Sequence, residues 1–421
     1  MESGEPIMLA LLRSNPMYLR YWVASWLSEL GDWFRNMALM YMVLTLSNNS
    51  SFAVSVILFC EFAPIFIFGP LIGVLADRWN RKKTILAANL LRIGFVILLI
   101  GGYMMESLLV LYIGAFLCSL GTLLFRSPAP AFMMQFVPKD DLKTAASLRQ
   151  ITFSTMLMLG PALGTLVYMQ LGASVTLLVN VVLLLGNVLI ISSIRVPGAD
   201  AEQQTRTGIQ GIRDDFKEGF RYVIHNPVSR IVMLSCIFFG LGAGIIQVLQ
   251  VFVVTDFLGM AKEVLSIILL IEGVAMLAAT FFIHKLKWPH DRFLSVGMLC
   301  MGIGFTAMVV YPALWALCVG VIVYSAGQVG INVGLSTLMQ TKVDYAYQGR
   351  AGTAINTVFM GCMVISLISA GWLHELLGLR AVFAGGGIVA ACGGLLCGYL
   401  FHKEDAFLRS SQVPVSNAQS G

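Results

Sequence analysis

The feature that most constrains this chain is a succession of apolar runs, most of them about 20 residues or longer, the length a helix needs to cross a bilayer core. The runs do not alternate between apolar and polar residues, as the roughly 10-residue strands of a membrane barrel would. In lipid every backbone N–H and C=O must be paired inside the structure, so these runs predict membrane-spanning helices. Composition closes the alternative. Of 421 residues, 58% are hydrophobic and only 12% charged, where soluble domains carry about 25% charge. An all-α polytopic membrane protein follows.

Twelve spans are expected, near 20–46, 51–76, 84–103, 107–136, 141–170, 174–194, 229–255, 263–285, 291–310, 313–341, 349–375 and 380–401. The segment before Arg20 contains Glu2, Glu5 and Arg13 and lacks the apolar core of a cleavable signal. Cations sort by side. Arg78, Arg81, Lys82, Lys83, Lys139, Lys143, Arg195, Arg206, Arg213, Lys217, Arg221, Arg230, Lys285, Lys287, Arg292, Lys342, Arg350, Lys403 and Arg409 share one side with Arg13 and Arg20. The short loops of the other side hold only Lys262 and Arg380. The positive-inside rule then places both termini in the cytoplasm of a cell membrane, inner or plasma. This topology accounts for the net charge of +5, so no nucleic-acid partner is implied.

One long polar stretch interrupts the array. It divides the chain into a six-helix bundle at 1–194, a cytoplasmic linker at 195–228, a second six-helix bundle at 229–402 and a tail at 403–421. The linker holds Pro197, Gly198, Gly208 and Gly211, with a short surface helix predicted over Ile209–Val223. A shift of 206 residues brings Ala145 onto Ala351, Ser147 onto Thr353 and Leu171-Gly172 onto Leu377-Gly378. That register aligns the fifth span with the eleventh, as a duplicated six-helix unit would.

After the second span the sequence reads Gly73-Val-Leu-Ala-Asp77-Arg78-Trp-Asn80-Arg81-Lys82-Lys83. This resembles the loop signature of the major facilitator superfamily, with Asn80 where the family has glycine. Asn tolerates left-handed backbone better than most residues, so the turn is expected to survive. Leu30-Gly31-Asp32-Trp33, Pro128-Ala129 through Val137-Pro138, and Gly160-Pro161-Ala162-Leu163-Gly164 are similar to the branch that holds macrolide and siderophore exporters. The last resembles an antiporter motif of that superfamily, with Met156 and Thr165 at two of its glycine positions. The resemblance implies a major facilitator fold of twelve helices in two pseudo-symmetric bundles, with substrate bound near the midplane between repeats. It also implies that Gly73, Asp77, Arg78, Arg81 and Lys82 form a cytoplasmic gate near Gly349 and Arg350, and that Gly160, Pro161 and Gly164 bear on exchange.

Charges inside the membrane cost at least ~2.5–3.5 kcal/mol each on insertion scales, so each needs a partner or a job. Glu29, Asp32 and Arg35 recur every three residues on the first span, with Asn36 on the same face. Glu61 lies in the second span and Glu272 in the eighth, while Arg92, Arg126 and Arg149 lie in or near spans three to five. Asp32, Glu29, Glu61 and Glu272 are the proton-coupling candidates. The bland alternative makes Asp32 and Arg35 a fixed structural pair. Arg35, Asn36, Arg126, Gln247, Gln250, Gln328, Asn332 and Asn356 are candidates to line a substrate cavity; polar groups also hold membrane helices together. Gly160-Pro161 predicts either a hinge or a tight helix contact.

The sequence encodes no enzyme constellation. It has no phosphate-cradling loop, so no ATPase engine is encoded here and no ATPase subunit is implied. The eight cysteines fall in apolar runs without paired spacing, and the histidines do not cluster, so neither metal nor cofactor is expected. The function expected is proton-coupled efflux of an amphipathic drug, antibiotic or siderophore-like metabolite by a monomer. The expected partners are that small-molecule substrate, protons and membrane lipid. The rivals are lysophospholipid or metabolite movement without strict proton exchange, and a non-transporting membrane sensor on the same scaffold.

Overall fold

A computed structural model describes residues 7–195, 209–262, 264–286, 288–344 and 347–411. Every regular element among them is helical. In chain order these are α1 (Ile7–Ser14), α2 (Pro16–Leu46), α3 (Ser51–Arg78), α4 (Arg81–Met104), α5 (Leu108–Arg126), α6 (Ala129–Met133), α7 (Leu142–Ser193), α8 (Ile209–His225), α9 (Pro227–Phe252), α10 (Val264–Lys285), α11 (His290–Val310), α12 (Leu314–Lys342), α13 (Gln348–Leu377) and α14 (Leu379–Ser411).

Ten helical stretches are long and apolar enough to cross a membrane. Two further crossings complete the expected twelve. The helix α2 spans 31 residues but carries Arg20, Glu29, Asp32 and Arg35. The 50-residue stretch Thr144–Ser193 contains two crossings, because its backbone leaves helical geometry at Gly172 (φ 77°, ψ 174°). Residues before that point run with α2. The Tyr18 hydroxyl donates to Ala145 O at 2.8 Å, and Tyr41 reaches Thr165 at 3.4 Å. Residues after it run against α2, with Asn187 Nδ2 donating to Ala24 O at 2.6 Å. Gly378, 206 positions later, also has positive φ (81°) and separates α13 from α14. Glycine alone enters this region without a steric penalty.

Local chemistry sets the helix ends. Asn15 accepts from the Tyr18 N–H at 3.0 Å, and Pro16 occupies the first turn, where its missing N–H costs nothing. The fourth span, Leu108–Met133, is interrupted: α5 stops at Arg126, and α6 follows as a separate short helix. Pro128 and Pro130 cannot donate to the preceding turn. The seventh span ends in a widened turn at Val253–Phe257. Asn80 is not left-handed (φ −63°, ψ 108°); its side chain instead caps α4, accepting from the Lys83 N–H at 3.1 Å. Its role is therefore capping, not adoption of a glycine-like turn.

The chain forms two compact units, one of Met1–Ile212, Gln247–Gly273 and Leu367–Leu377, the other of Arg213–Ile246, Val274–Ser366 and Gly378–Gly421. In the first, Tyr18, Tyr21, Ile85, Phe125, Phe132, Leu148 and Ile191 belong to one buried cluster joining α2, α4, α5, α6 and α7. Its tyrosine hydroxyls are satisfied: Tyr21 donates to Ala129 O at 3.3 Å. Ser50 caps α3 and donates to Glu375 Oε1 at 2.8 Å, while Ser51 donates to Gly371 O at 3.0 Å. In the second, α11 packs closely on α12: a Cβ at Gly304 would lie 2.8 Å from Gly320 O. Small residues permit such approach where no water drives apolar helices together. The surface helix predicted at Ile209–Val223 is present as α8. Tyr222 stacks on Tyr347 with centroids 4.5 Å apart and donates to Asp344 at 3.2 Å. Pro197, Gly198, Arg206, Gly208 and Lys287 lie outside the described residues. Large apolar side chains stand exposed on the spans, among them Ile97, Val182, Leu189, Phe281, Ile303 and Leu395, as a lipid-facing surface requires.

Candidate functional site

The first unit buries a charge cluster where its helices cross. The helix α2 supplies Asp32 and Arg35, 5% and 4% exposed. Its three-residue spacing puts them one above the other, and Arg35 Nη1 donates to Asp32 Oδ1 at 2.8 Å. Arg35 Nε and Nη2 donate to Asn36 Oδ1 at 3.2 and 2.8 Å. The helix α4 brings in Arg92, which is wholly buried and pairs with Asp32 through the same carboxylate oxygen. Its stem lies against Gly121 of α5, where a Cβ would come within 2.6 Å of Arg92 Cγ. Its guanidinium sits 5.5 Å over the Phe125 ring, a favourable placement for a desolvated cation.

Polar neighbours extend this cluster across three helices. Arg92 Nη1 donates to Ser28 Oγ at 3.0 Å and to Asn89 Oδ1 at 2.9 Å. Asn89 Nδ2 donates to Asn187 Oδ1 at 2.7 Å, and Asn187 in turn holds Ala24 O. Two fully buried carboxylate oxygens of the cluster, Asp32 Oδ2 and Glu61 Oε1, have no hydrogen bond. Glu61 is 8% exposed, within electrostatic reach of Arg35 and Asp32, and its backbone carbonyl accepts from Ser119 Oγ at 2.5 Å. Uncompensated buried charge is severely penalised. Here the carboxylates of Glu29, Asp32 and Glu61 are matched in number by the guanidiniums of Arg35, Arg92 and Arg126.

Glu29 stands apart from Asp32. Arg126 Nη2 donates to both its carboxylate oxygens, at 2.8 and 2.7 Å. This pair is partly exposed, with the Glu29 side chain at 18% and Arg126 at 43%. It borders a cavity of about 320 Å³ that is also lined by Tyr21, Ser25, Phe125, Arg149, Gln150 and Phe153. Elsewhere in the unit Gln250 donates to Glu272 at 2.9 Å, and Gln247 lies one turn earlier on the same helix.

The other expected cavity residues belong to the second unit. Gln328 has a buried, unbonded Oε1. Asn332 donates back to Gln328 O at 2.9 Å, and Asn356 is exposed. The structure thus gathers Glu29, Asp32, Arg35, Asn36, Glu61 and Arg126 in one unit, while Gln328, Asn332 and Asn356 are carried by the other.

Of the loop signature, the side chains of Gly73, Asp77 and Arg78 lie outside the described residues. Lys82 donates to Ser192 O and Ile194 O at 2.8 and 2.7 Å, capping the end of α7 with a cation, and Arg81 is half-buried at the start of α4. In the second unit Arg350 pairs with Glu218 at 3.0 Å. The Gly160-Pro161 alternatives resolve toward close packing. Helical geometry continues through Pro161, a Cβ on Gly160 would overlap the Trp33 ring, and one on Gly164 would lie 2.9 Å from Trp33 O.

Arg92, Asn89, Asn187 and Ser28 are the members that sequence reasoning left without a role. Arg92 carried a signal, a cation in the middle of an apolar helix. The asparagines carried none, because a lone amide in a span is equally able to serve as helix glue.

Comparison with known proteins follows the same lines. The family model described as Major Facilitator Superfamily matches residues 21–366 and 232–418. An uncharacterised MFS-type transporter of Bacillus subtilis is 26% identical over 335 residues, 74% of this chain and 77% of the relative. Macrolide efflux protein A of Streptococcus pyogenes is 23% identical over 386 residues, covering 89% of this chain and 94% of the relative. A bacterial homologue of the iron transporter ferroportin, solved in an inward-facing state, superposes with TM-score 0.72 at 15% identity, covering 92% of this chain and 98% of its own. The nucleoside transporter NupG gives 0.72 at 14% identity, covering 91% and 99%. At these identities the structural likenesses establish the fold.

Proposed function

Because the chain belongs to the major facilitator superfamily, whose members are transporters and not enzymes, we propose that it exports an amphipathic small molecule in exchange for protons. The carrying observation is Glu61, a buried carboxylate with an oxygen that makes no hydrogen bond, beside the Asp32–Arg35–Arg92 cluster. Asp32, bonded to two guanidiniums, is the fixed anion of this arrangement. Glu61 is the group that exchanges a proton. Desolvation disfavours an ionised carboxylate and a nearby guanidinium favours it, so a change in hydration as access alternates tips the balance between loading and release.

Each proton taken by Glu61 leaves the cluster with one more positive charge. That charge is the lever that couples the proton to rearrangement of the helices, because a buried net charge is strongly disfavoured. Efflux is favoured over uptake by similarity to macrolide efflux protein A along 89% of the chain. The protein works as a monomer in the cell membrane, with both termini in the cytoplasm by its cation distribution.

The test is reconstitution in proteoliposomes containing a pH dye, with addition of macrolides, siderophores, lipophilic cations, aromatic acids and lysolipids in turn. Proton flux driven by one chemical class, and lost in Glu61→Gln, is expected. Substrate movement without proton flux would replace exchange by uniport or lipid transport. Absence of any movement by folded, inserted protein would favour a sensor on a transporter scaffold.

A further inference from the structure

The cavity beside Glu29 has a charge balance that says what fits it. Its walls carry two guanidiniums, Arg126 and Arg149, against one carboxylate, Glu29. Glu29 occupies Arg126 through both its oxygens. Arg149 is exposed and has no carboxylate at ion-pair distance among the described residues. The Arg126 side chain is 43% exposed and Glu29 engages only its Nη2, so its other N–H groups can meet an incoming anion while the pair stays intact. A guanidinium presents a planar fork of donors that matches a carboxylate or phosphate with two parallel bonds.

The remaining walls are suited to a ring. Phe153 is exposed there, the nearly buried Phe125 and Tyr21 also line the wall, and Ser25 and Gln150 offer uncharged hydrogen-bonding groups. A volume of about 320 Å³ lies at the lower end of the range of small-molecule sites, about 300–1,000 Å³. We infer that this cavity binds the acidic end of a ring-bearing organic anion, with Arg149 as its principal anion-binding residue and Arg126 as the second. The inference deepens the exporter reading by naming the substrate class, and it rests on that reading only in taking the cavity to lie on the substrate's path. A weakly basic substrate would place its cation beside Arg149, an arrangement this charge balance opposes.

Binding is measurable without transport. Three size-matched probes separate charge from shape: 2-naphthoate, neutral 2-naphthalenemethanol and cationic 2-naphthylmethylammonium. Each is titrated by calorimetry into the full chain in phosphatidylcholine nanodiscs. The expected result is at least about tenfold tighter binding of 2-naphthoate than of either control, about 1.4 kcal/mol. Arg149→Gln is expected to bring 2-naphthoate to the affinity of the neutral probe, and Arg149→Lys to retain part of the preference. An unshifted melting temperature in both variants reports an intact fold.

Equal affinity for the three probes, tighter binding of the ammonium, no binding at all, or no effect of Arg149→Gln would each overturn the inference. A further arm adds phosphatidylglycerol to the nanodiscs. If that lipid displaces 2-naphthoate from the unaltered protein but not from Arg149→Gln, the anion site belongs to a lipid headgroup and the substrate assignment fails. The exporter reading is judged separately. Proton flux driven by a cationic substrate would keep exchange and remove the acidic-substrate class, whereas selective 2-naphthoate binding without proton flux would keep the site and remove the coupling.

Discussion

Arg92 of α4 and Asp32 of α2 form an ion pair at 0% and 5% exposure, with Asp32 shared by Arg35 on its own helix. Removing Asp32 strands two guanidiniums, and removing Arg92 leaves Asp32 with Arg35 alone. Truncating one member of a buried pair costs about 3–5 kcal/mol, whereas replacing both can be close to neutral.

Arg92→Leu and Asp32→Asn are therefore each expected to destabilise the protein by about 3–5 kcal/mol. The double variant is expected to lose clearly less than the sum, which a double-mutant cycle in reversible SDS unfolding would measure. Additive losses would mean that the two side chains do not interact in the membrane.

Glu61→Gln is expected to separate stability from transport. Glu61 Oε1 has no hydrogen bond to lose, and the amide keeps the shape of the side chain. The amide carries the charge of the protonated carboxyl, a state the exchange cycle itself populates, so the apparent melting temperature should fall no further than it does when the unaltered protein takes up a proton at this site. Substrate-driven proton flux should fall at least about tenfold, the measure of a lost step worth ~1.4 kcal/mol or more. Retained flux would remove Glu61 from the coupling step and return attention to Asp32, Glu29 and Glu272.

Gly160→Ala is expected to destabilise by about 1–3 kcal/mol, the usual cost of overpacking, because the added methyl meets the Trp33 ring. Made on a Trp33→Ala background, the same substitution should cost clearly less, since the ring atoms that the methyl meets are gone. Both are read from unfolding midpoints. An undiminished cost on that background would show that Gly160 matters for a reason other than contact with Trp33.

Gly172→Ala is expected to cost about 1–3 kcal/mol through backbone strain alone. No neighbouring atom lies within 4 Å of the position its Cβ would take, and its φ is +77°. Ala substitution at Gly69, which also faces open space but has no positive φ, is the control and should cost far less. Equal effects at both positions would refute the strain account.

Much of the fold was legible in the chain because lipid imposes one rule on every span. A helix must bury its own hydrogen bonds, and about 20 apolar residues satisfy the distance. The helical class and the division at Gly172 follow from that rule. The charged face of α2 was legible for the same reason, since Glu29, Asp32 and Arg35 stand out against apolar neighbours. Their partners were not. Spacing on one helix predicts the Asp32–Arg35 pair at three residues, but Arg92 lies 60 positions from Asp32 and Arg126 lies 97 from Glu29. Only the crossing of α2, α4 and α5 decides which guanidinium meets which carboxylate, because ion pairing depends on a few ångströms of approach between helices that the sequence does not encode locally. Packing of α7 on α2 likewise pressed Gly160 against Trp33. Sequence determined that this chain crosses a membrane and which charges it carries there; tertiary structure decided which of those charges are matched, and which oxygens remain without a hydrogen bond.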